Sequence, residues 1–168
     1  GGCFTFDGTN FINFSDSDSH DNTTYLTISF WMKESENATS RIIMAKGKYS
    51  TDWSWIIQNP FGDNSLRVYI ADTLSDVGSN FVNTPTGTLS VNNWHHVTVV
   101  FDGTKSTSVT RLLVYVDGVN RTSSASGTIP TVILNASTPI NIGRMYGLHV
   151  FTGNIDEVMI FNRSLTAS

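Results

Sequence analysis

Tyr25-Leu26-Thr27-Ile28-Ser29-Phe30-Trp31-Met32-Lys33 alternates residue by residue, with Leu26, Ile28, Phe30 and Met32 on one side and Tyr25, Thr27, Ser29, Trp31 and Lys33 on the other. A period of two puts an apolar face on one side of an extended chain, so residues 25–33 predict a half-buried strand. The pattern recurs at 65–70, with Leu66, Val68 and Ile70 inward, and at 111–117, with Leu112, Val114 and Val116 inward. Residues 94–101 and 155–161 add apolar-rich strands, and 4–6, 11–14, 41–46, 53–58, 81–83 and 140–142 add shorter ones. Turn signals such as Asp7-Gly8, Gly62-Asp63-Asn64, Asp102-Gly103 and Gly153-Asn154 separate them. Asp117-Gly118 predicts a hairpin, because Asp-Gly tolerates the positive φ angles of a type I′ turn. Residues 15–24 and 122–128 read as connections. No window of a dozen residues carries a 3.6 period. About eleven short strands without crossover helices must pair antiparallel, which predicts an all-β fold of two packed sheets, a β-sandwich.

The chain has 168 residues, 14% of them charged, and a net charge of -4. The charged fraction lies well below the ~25% usual for globular domains, leaving long amphipathic helices without their surface residues. No Lys/Arg run offers a nucleic-acid or anionic-membrane surface, and no apolar stretch approaches the ~18 residues that span a bilayer. Residues 1–168 are therefore expected to form one domain, excised from a larger extracellular protein, with neither nucleic-acid partner nor membrane insertion. Cys3 is the sole cysteine, which excludes an internal disulfide and a cysteine-based metal site. Six Asn-x-Ser/Thr sequons, at Asn13, Asn22, Asn37, Asn120, Asn135 and Asn162, fit an exported chain.

Three groups of segments carry a resemblance. They are Phe4-Thr5-Phe6-Asp7-Gly8; then Trp94-His95-His96-Val97, Phe101-Asp102-Gly103 and Leu113-Val114-Tyr115-Val116-Asp117-Gly118; then Ile142-Gly143-Arg144, Phe151-Thr152-Gly153-Asn154-Ile155-Asp156-Glu157-Val158 and Phe161-Asn162-Arg163-Ser164-Leu165. In this order and spacing the chain resembles the laminin-G-like jelly-roll domains of the concanavalin A-like lectin/glucanase superfamily. The resemblance implies a sandwich of two curved antiparallel sheets, rim loops that bind sugars or proteins, and frequently a calcium ion. Calcium is accordingly an expected cofactor with a structural role. Its candidate ligands are Asp7 and Asp156, in the two terminal segments, with backbone carbonyls and waters completing a shell of six to eight oxygens. The plainer reading is that Asp7 caps its turn and Asp156 hydrogen-bonds a nearby loop.

Glucanases of this fold resemble one another in carrying acids two apart on one strand, so that both carboxylates share a face. Here Asp156 and Glu157 are consecutive, and strand neighbours diverge, so the pair is not expected to flank one glycosidic bond and no enzyme is expected. His95 and His96 diverge for the same reason, with no Ser or Cys constellation apparent around them. Acids at 16–21 lack the Gly and Glu positions of an EF-hand.

Sugar binding needs an exposed aromatic platform flanked by polar groups. If the inward residues above face the core, Trp31, Arg67, Tyr69 and Tyr115 face outward, on one sheet or split between two. Trp53 is expected at a rim, after the 49–52 loop, with Trp55 and Ile57 inward, and Tyr146 and His149 are accessible in the 144–150 loop. The candidate ligand-binding residues are thus Trp53, Tyr69, Tyr146, Trp31 and Arg67. The expected function is noncatalytic recognition of a carbohydrate at the cell surface or outside the cell, the alternative being a structural or protein-adhesion module without a sugar site.

Overall fold

The alternating segments form the core strands of two antiparallel sheets. The computed structural model describes residues 2–17, 20, 23–36, 40–48, 50–73, 78–145 and 149–166. In chain order the elements are β1 (Phe4–Asp7), β2 (Ile12–Phe14), β3 (Tyr25–Glu34), β4 (Arg41–Lys48), β5 (Asp52–Asn59), β6 (Arg67–Ile70), β7 (Phe81–Asn83), β8 (His95–Asp102), the single helical turn α1 (Ser108–Arg111), β9 (Leu112–Val116), β10 (Val119–Asn120), β11 (Ser124–Ser126), β12 (Ile140–Ile142) and β13 (Thr152–Phe161). A six-stranded sheet runs β1-β13-β3-β8-β9-β10 and a seven-stranded sheet runs β11-β7-β6-β5-β4-β12-β2. This is a jelly-roll sandwich. Among the described residues, no helix is long and apolar enough to cross a membrane.

The predicted inward residues build the core. Leu26, Ile28, Phe30 and Met32 of β3 meet Val68 and Ile70 of β6 and Val114 and Val116 of β9 in one buried cluster. Each large side chain so buried stabilises the fold by about 1.5–3 kcal/mol. The hairpin expected at Asp117-Gly118 joins β9 to β10, with φ of 52° and 77° at the two residues.

Two departures from the sequence reading have a physical cause. Residues 122–128 are more than a connection, because Ser124–Ser126 pairs with Phe81–Asn83 as an edge strand. All three of its residues are exposed, so it has no apolar side to print a period of two. In β5, Trp55 stands opposite Lys46 and Trp53 opposite Gly47, so Ser54 is an extra residue, a bulge. The bulge inverts the side-chain phase: Trp55 and Ile57 enter the core, whereas Trp53 joins Ile56 on the far face. Gly47, at φ 131°, permits it, since a Cβ there would lie 2.2 Å from the Trp53 Cα.

The sequons at Asn22 and Asn37 lie outside the described residues, and Asn13, Asn120, Asn135 and Asn162 are all exposed.

Candidate functional site

Trp31 stands on the outer face of the six-stranded sheet, between His96 of β8 and Asp156 of β13. Its ring centroid lies 5.2 Å from that of His96. Trp94, just before β8, shares the outward phase of His96 and Thr98, and the Lys33 ammonium lies 5.7 Å from its ring centroid. Trp31 is 37% exposed and Trp94 39%. Together with Asp156 and Glu157 they line an open hollow of about 340 Å³.

The two acids correct the sequence reading. Opposite β3 the register runs from Asp156 against Trp31 to Met159 against Ser29, which inserts one extra residue into β13. Glu157 takes a left-handed φ of 48°. The bulge breaks strict alternation, and both acidic residues line one hollow where alternation would have sent them to opposite faces. Asp156 Oδ1 accepts the Glu157 N–H at 2.9 Å. Trp94 was open to discovery from phase alone: with Val97, Val99 and Phe101 inward, residues 94, 96 and 98 point out.

Beyond His96 the same face holds a cavity of about 380 Å³ lined by Ser29, Thr98, Tyr115, Met159 and Phe161 among others. Ser29 Oγ and His96 Nε2 are 2.8 Å apart, which fixes the imidazole that backs Trp31.

The outward aromatics divide between the sheets, since Arg67 and Tyr69 lie on the seven-stranded one. The Arg67 guanidinium packs 3.9 Å from the Phe81 ring centroid and 4.6 Å from that of Phe61. Its Nε donates to Asn83 Oδ1 at 2.7 Å and its Nη1 to the Tyr69 hydroxyl at 3.2 Å. Trp53 does not reach a rim. It is 0% exposed, in a second apolar cluster with Ile42, Ala45, Ile56, Ala71 and Met145, and the half-buried Tyr69 packs against that cluster. The β5 bulge turned it onto the outer face, and the residues beyond β6 and β12 cover it there, so a ligand does not touch it. Tyr146 lies outside the described residues. His149 takes φ 59° and its carbonyl accepts the Ile42 N–H.

The terminal strands do lie side by side, but they do not bring Asp7 and Asp156 together. Asp7 pairs with Thr152, four positions from Asp156, which separates the two residues by about 13 Å at the usual strand rise. Asp7 Oδ1 instead accepts the Thr9 hydroxyl and the N–H groups of Thr9 and Asn10. These bonds hold its carboxyl below the usual carboxylate range. Asp7 is thus a turn cap, and the two acids do not fit one hard cation. Among the described residues, no three or more His, Cys, Asp or Glu side chains gather as a metal site. In the acidic loop, Asp16 pairs with the buried Lys46, and residues 18, 19 and 21 lie outside the described ones.

A Ser constellation missed in the sequence surrounds His95. Ser90 Oγ lies 2.9 Å from His95 Nε2, and His95 Nδ1 lies 2.8 Å from Asp117 Oδ2. With Nδ1–H given to Asp117, Nε2 accepts, and the Ser90 backbone N–H already donates to it at 3.0 Å. Asp117 Oδ1 accepts the His96 N–H as well. The cluster therefore fastens the turn before β8 to the β9–β10 hairpin. Burial draws the Asp117 carboxyl upward, and the bonds from His95 and His96 outweigh it and hold the group below its usual range.

Comparison with solved structures gives the same fold at low sequence identity. A heptameric SAP-like pentraxin from Limulus polyphemus aligns at TM-score 0.70 and 15% identity, over 97% of this chain and 76% of its own. Domain 4 of AbnA, a GH43 extracellular arabinanase from Geobacillus stearothermophilus, solved with arabinotriose, aligns at 0.68 and 18%, over 98% and 72%. The CBM40 of the Ruminococcus gnavus IT-sialidase, bound to alpha2,3 sialyllactose, aligns at 0.68 and 10%, over 95% and 93%. No curated protein matches the sequence. The family model that does match spans residues 6–168, nearly the whole chain, and by it the chain belongs to the concanavalin A-like lectin/glucanases superfamily.

Proposed function

We propose that this chain is a noncatalytic carbohydrate-recognition domain that works outside the cell or at its surface, with the Trp31–Trp94 hollow as its sugar site. The observation that carries the reading is the pair of open indoles beside two carboxylates. An indole stacks on the apolar C–H face of a pyranose, and carboxylate oxygens accept hydrogen bonds from its hydroxyls. The sugar-bound relatives of the same fold support the ligand class, and the exposed sequons support export.

The acids serve as hydrogen-bond acceptors in this reading. Glu157 is exposed and Asp156 half-buried, an open setting unlike the apolar enclosure around a glycosidase's proton donor. No ion at Asp7 or Asp156 enters the reading, so binding is expected to survive a chelator.

A glycan array, run with calcium and with chelator and followed by titration of the best neutral hit, tests the proposal. Trp94→Ala is expected to weaken that hit about thirtyfold, the loss of a central aromatic contact of ~2 kcal/mol. A blank array with capture of a protein partner would replace the reading with an adhesion module, and release of reducing ends from a polysaccharide would replace it with an enzyme.

A further inference from the structure

We propose that Arg67 and Tyr69, on the outer face of the seven-stranded sheet, form a second site that takes the carboxylate of an acidic sugar. The inference uses a different face from the Trp31–Trp94 hollow and rests on the carbohydrate reading only for the class of its ligand.

Arg67 occupies the middle of a row across the sheet, between Gln58 of β5 and Asn83 of β7. Its guanidinium is half-buried between Phe61 and Phe81, and its hydrogen-bond partners Asn83 and Tyr69 are both neutral. Two strands away on β4, Arg41 pairs with Glu36 and Lys46 with Asp16. Among the described residues no carboxylate pairs with Arg67. Asp63, two residues from Phe61, spends its oxygens on Ser65 and Thr86. A charge drawn partly out of water is normally paired, so an uncompensated guanidinium here marks a place for an anion.

The hydrogen-bond inventory says where the anion sits. The Tyr69 oxygen accepts from Gln58 Nε2 at 3.1 Å and from Arg67 Nη1 at 3.2 Å, which occupies both its lone pairs and leaves its own proton to donate. Arg67 Nη2 likewise has no acceptor among the described residues. Because Nη1 of the same guanidinium is bonded to the Tyr69 oxygen, the two uncommitted donors belong to one hydrogen-bonded pair of side chains, and the two oxygens of one carboxylate would satisfy both. Phe61, 57% exposed and stacked on the same guanidinium, provides an apolar shelf for the sugar ring beside that carboxylate. Charge sorts the two faces: at the hollow two carboxylates, Asp156 and Glu157, outnumber the one nearby ammonium of Lys33 and disfavour an anion, whereas Arg67 attracts one.

Titration with alpha2,3-sialyllactose against lactose, followed by NMR or calorimetry, tests the site. The acidic sugar is expected to bind at least about tenfold more tightly than its neutral counterpart, with a preference that shrinks as salt rises. Arg67→Gln is expected to abolish that preference and Arg67→Lys to keep part of it. Tyr69→Phe, which removes only the hydroxyl, is expected to reduce it several-fold without loss of fold, whereas Trp94→Ala is expected to weaken lactose and leave the Arg67-dependent binding of sialyllactose in place. Equal binding of the two sugars, or a preference that persists in a folded Arg67→Gln protein, would overturn the proposal. So would a glutamate-rich peptide that displaces sialyllactose with equal affinity, because the surface would then read acidic protein. Neutral-sugar binding that depends on Trp94 without any acidic preference sinks this site alone. An Arg67-dependent preference without Trp94-dependent binding sinks only the hollow.

Discussion

Trp31 and Trp53 both point away from the sandwich core, one from each sheet, yet Trp31 is 37% exposed and Trp53 is 0% exposed. Trp53 has Ala71 and Met145 packed around it, from the stretches that follow β6 and β12, together with the edge of the Tyr69 ring at a centroid distance of 6.4 Å. Trp31 meets the tilted His96 imidazole and opens onto a hollow. An outward phase on a strand is therefore not the same as exposure. The strand decides which way a ring points, and the segments laid over the sheet decide whether solvent or a sugar can reach it.

The strongest way to break this comparison is Trp53→Ala. If Trp53 is core, truncation costs about 3–5 kcal/mol, which for a chain of this length lowers the melting temperature by about 6–20 °C. Calorimetric melting checks it, and a variant that melts normally while losing glycan binding would return Trp53 to the ligand. Gly47→Ala attacks the same cluster from the backbone. A residue with a side chain resists φ 131°, and the new Cβ would meet the Trp53 backbone at 2.2 Å. The left-handed conformation alone costs about 1–3 kcal/mol. Urea unfolding should show that loss, and the Trp53 fluorescence should shift toward that of a solvated indole.

How far the sequence carried the reading follows the same division. Leu26, Ile28 and Phe30 announced their face because alternation is a local property of one strand, and the core formed as predicted. Arg67 and Tyr69 were placed outward by the same logic, and the structure brings them into contact. The failures sit where one residue is inserted. At Ser54 the extra residue turns Trp53 outward, but Ala71 and Met145 cover it there instead of leaving it at a rim, and in β13 an extra residue brings Asp156 and Glu157 to one hollow. A bulge is a relation between two strands, so a single strand's pattern does not contain it. Trp94 was legible by phase but stood outside the alternating run. The Ser90–His95–Asp117 cluster joins residues 27 positions apart at its ends, through a turn and a hairpin that no spacing rule connects.

The join between the sheets and the fastening of the hairpin can be separated by acid. Glu34, at the end of β3, is buried against Asn59 of β5 and so ties one sheet to the other, with Asn59 Nδ2 donating to its carboxylate at 3.1 Å. Burial pushes its carboxyl above the usual 4.5, while Asn59 and the nearby Arg41 charge oppose the shift. As pH rises through 4.5 the unfolded chain loses this proton first, so Glu34 subtracts stability with rising pH. Asp117 acts with the opposite sign. Its folded carboxyl is held below 3.8, so its contribution is present above that value and is lost as acid takes the pH down through the folded value. Unfolding free energies from about pH 3 to about pH 7 should lose the downward slope in Glu34→Gln and lose the acid-side rise in Asp117→Asn. Unchanged slopes would show that neither carboxyl differs between folded and unfolded chains.

The smallest expected stability effect is the one that sharpens the comparison most. Trp94 is 39% exposed and precedes β8, outside the core cluster, and its contacts include the Lys33 ammonium at 5.7 Å. Trp94→Ala should change the unfolding free energy by no more than about 0.5 kcal/mol, as exposed substitutions do. Set beside Trp53→Ala, it gives a crossed pair: one tryptophan whose loss costs stability and leaves the site open, another whose loss leaves the fold and empties the site. Measuring melting temperature and glycan affinity on both proteins decides it. If Trp94→Ala melts as low as Trp53→Ala, the hollow is structural packing, and the contrast between an open face and a covered one disappears with it.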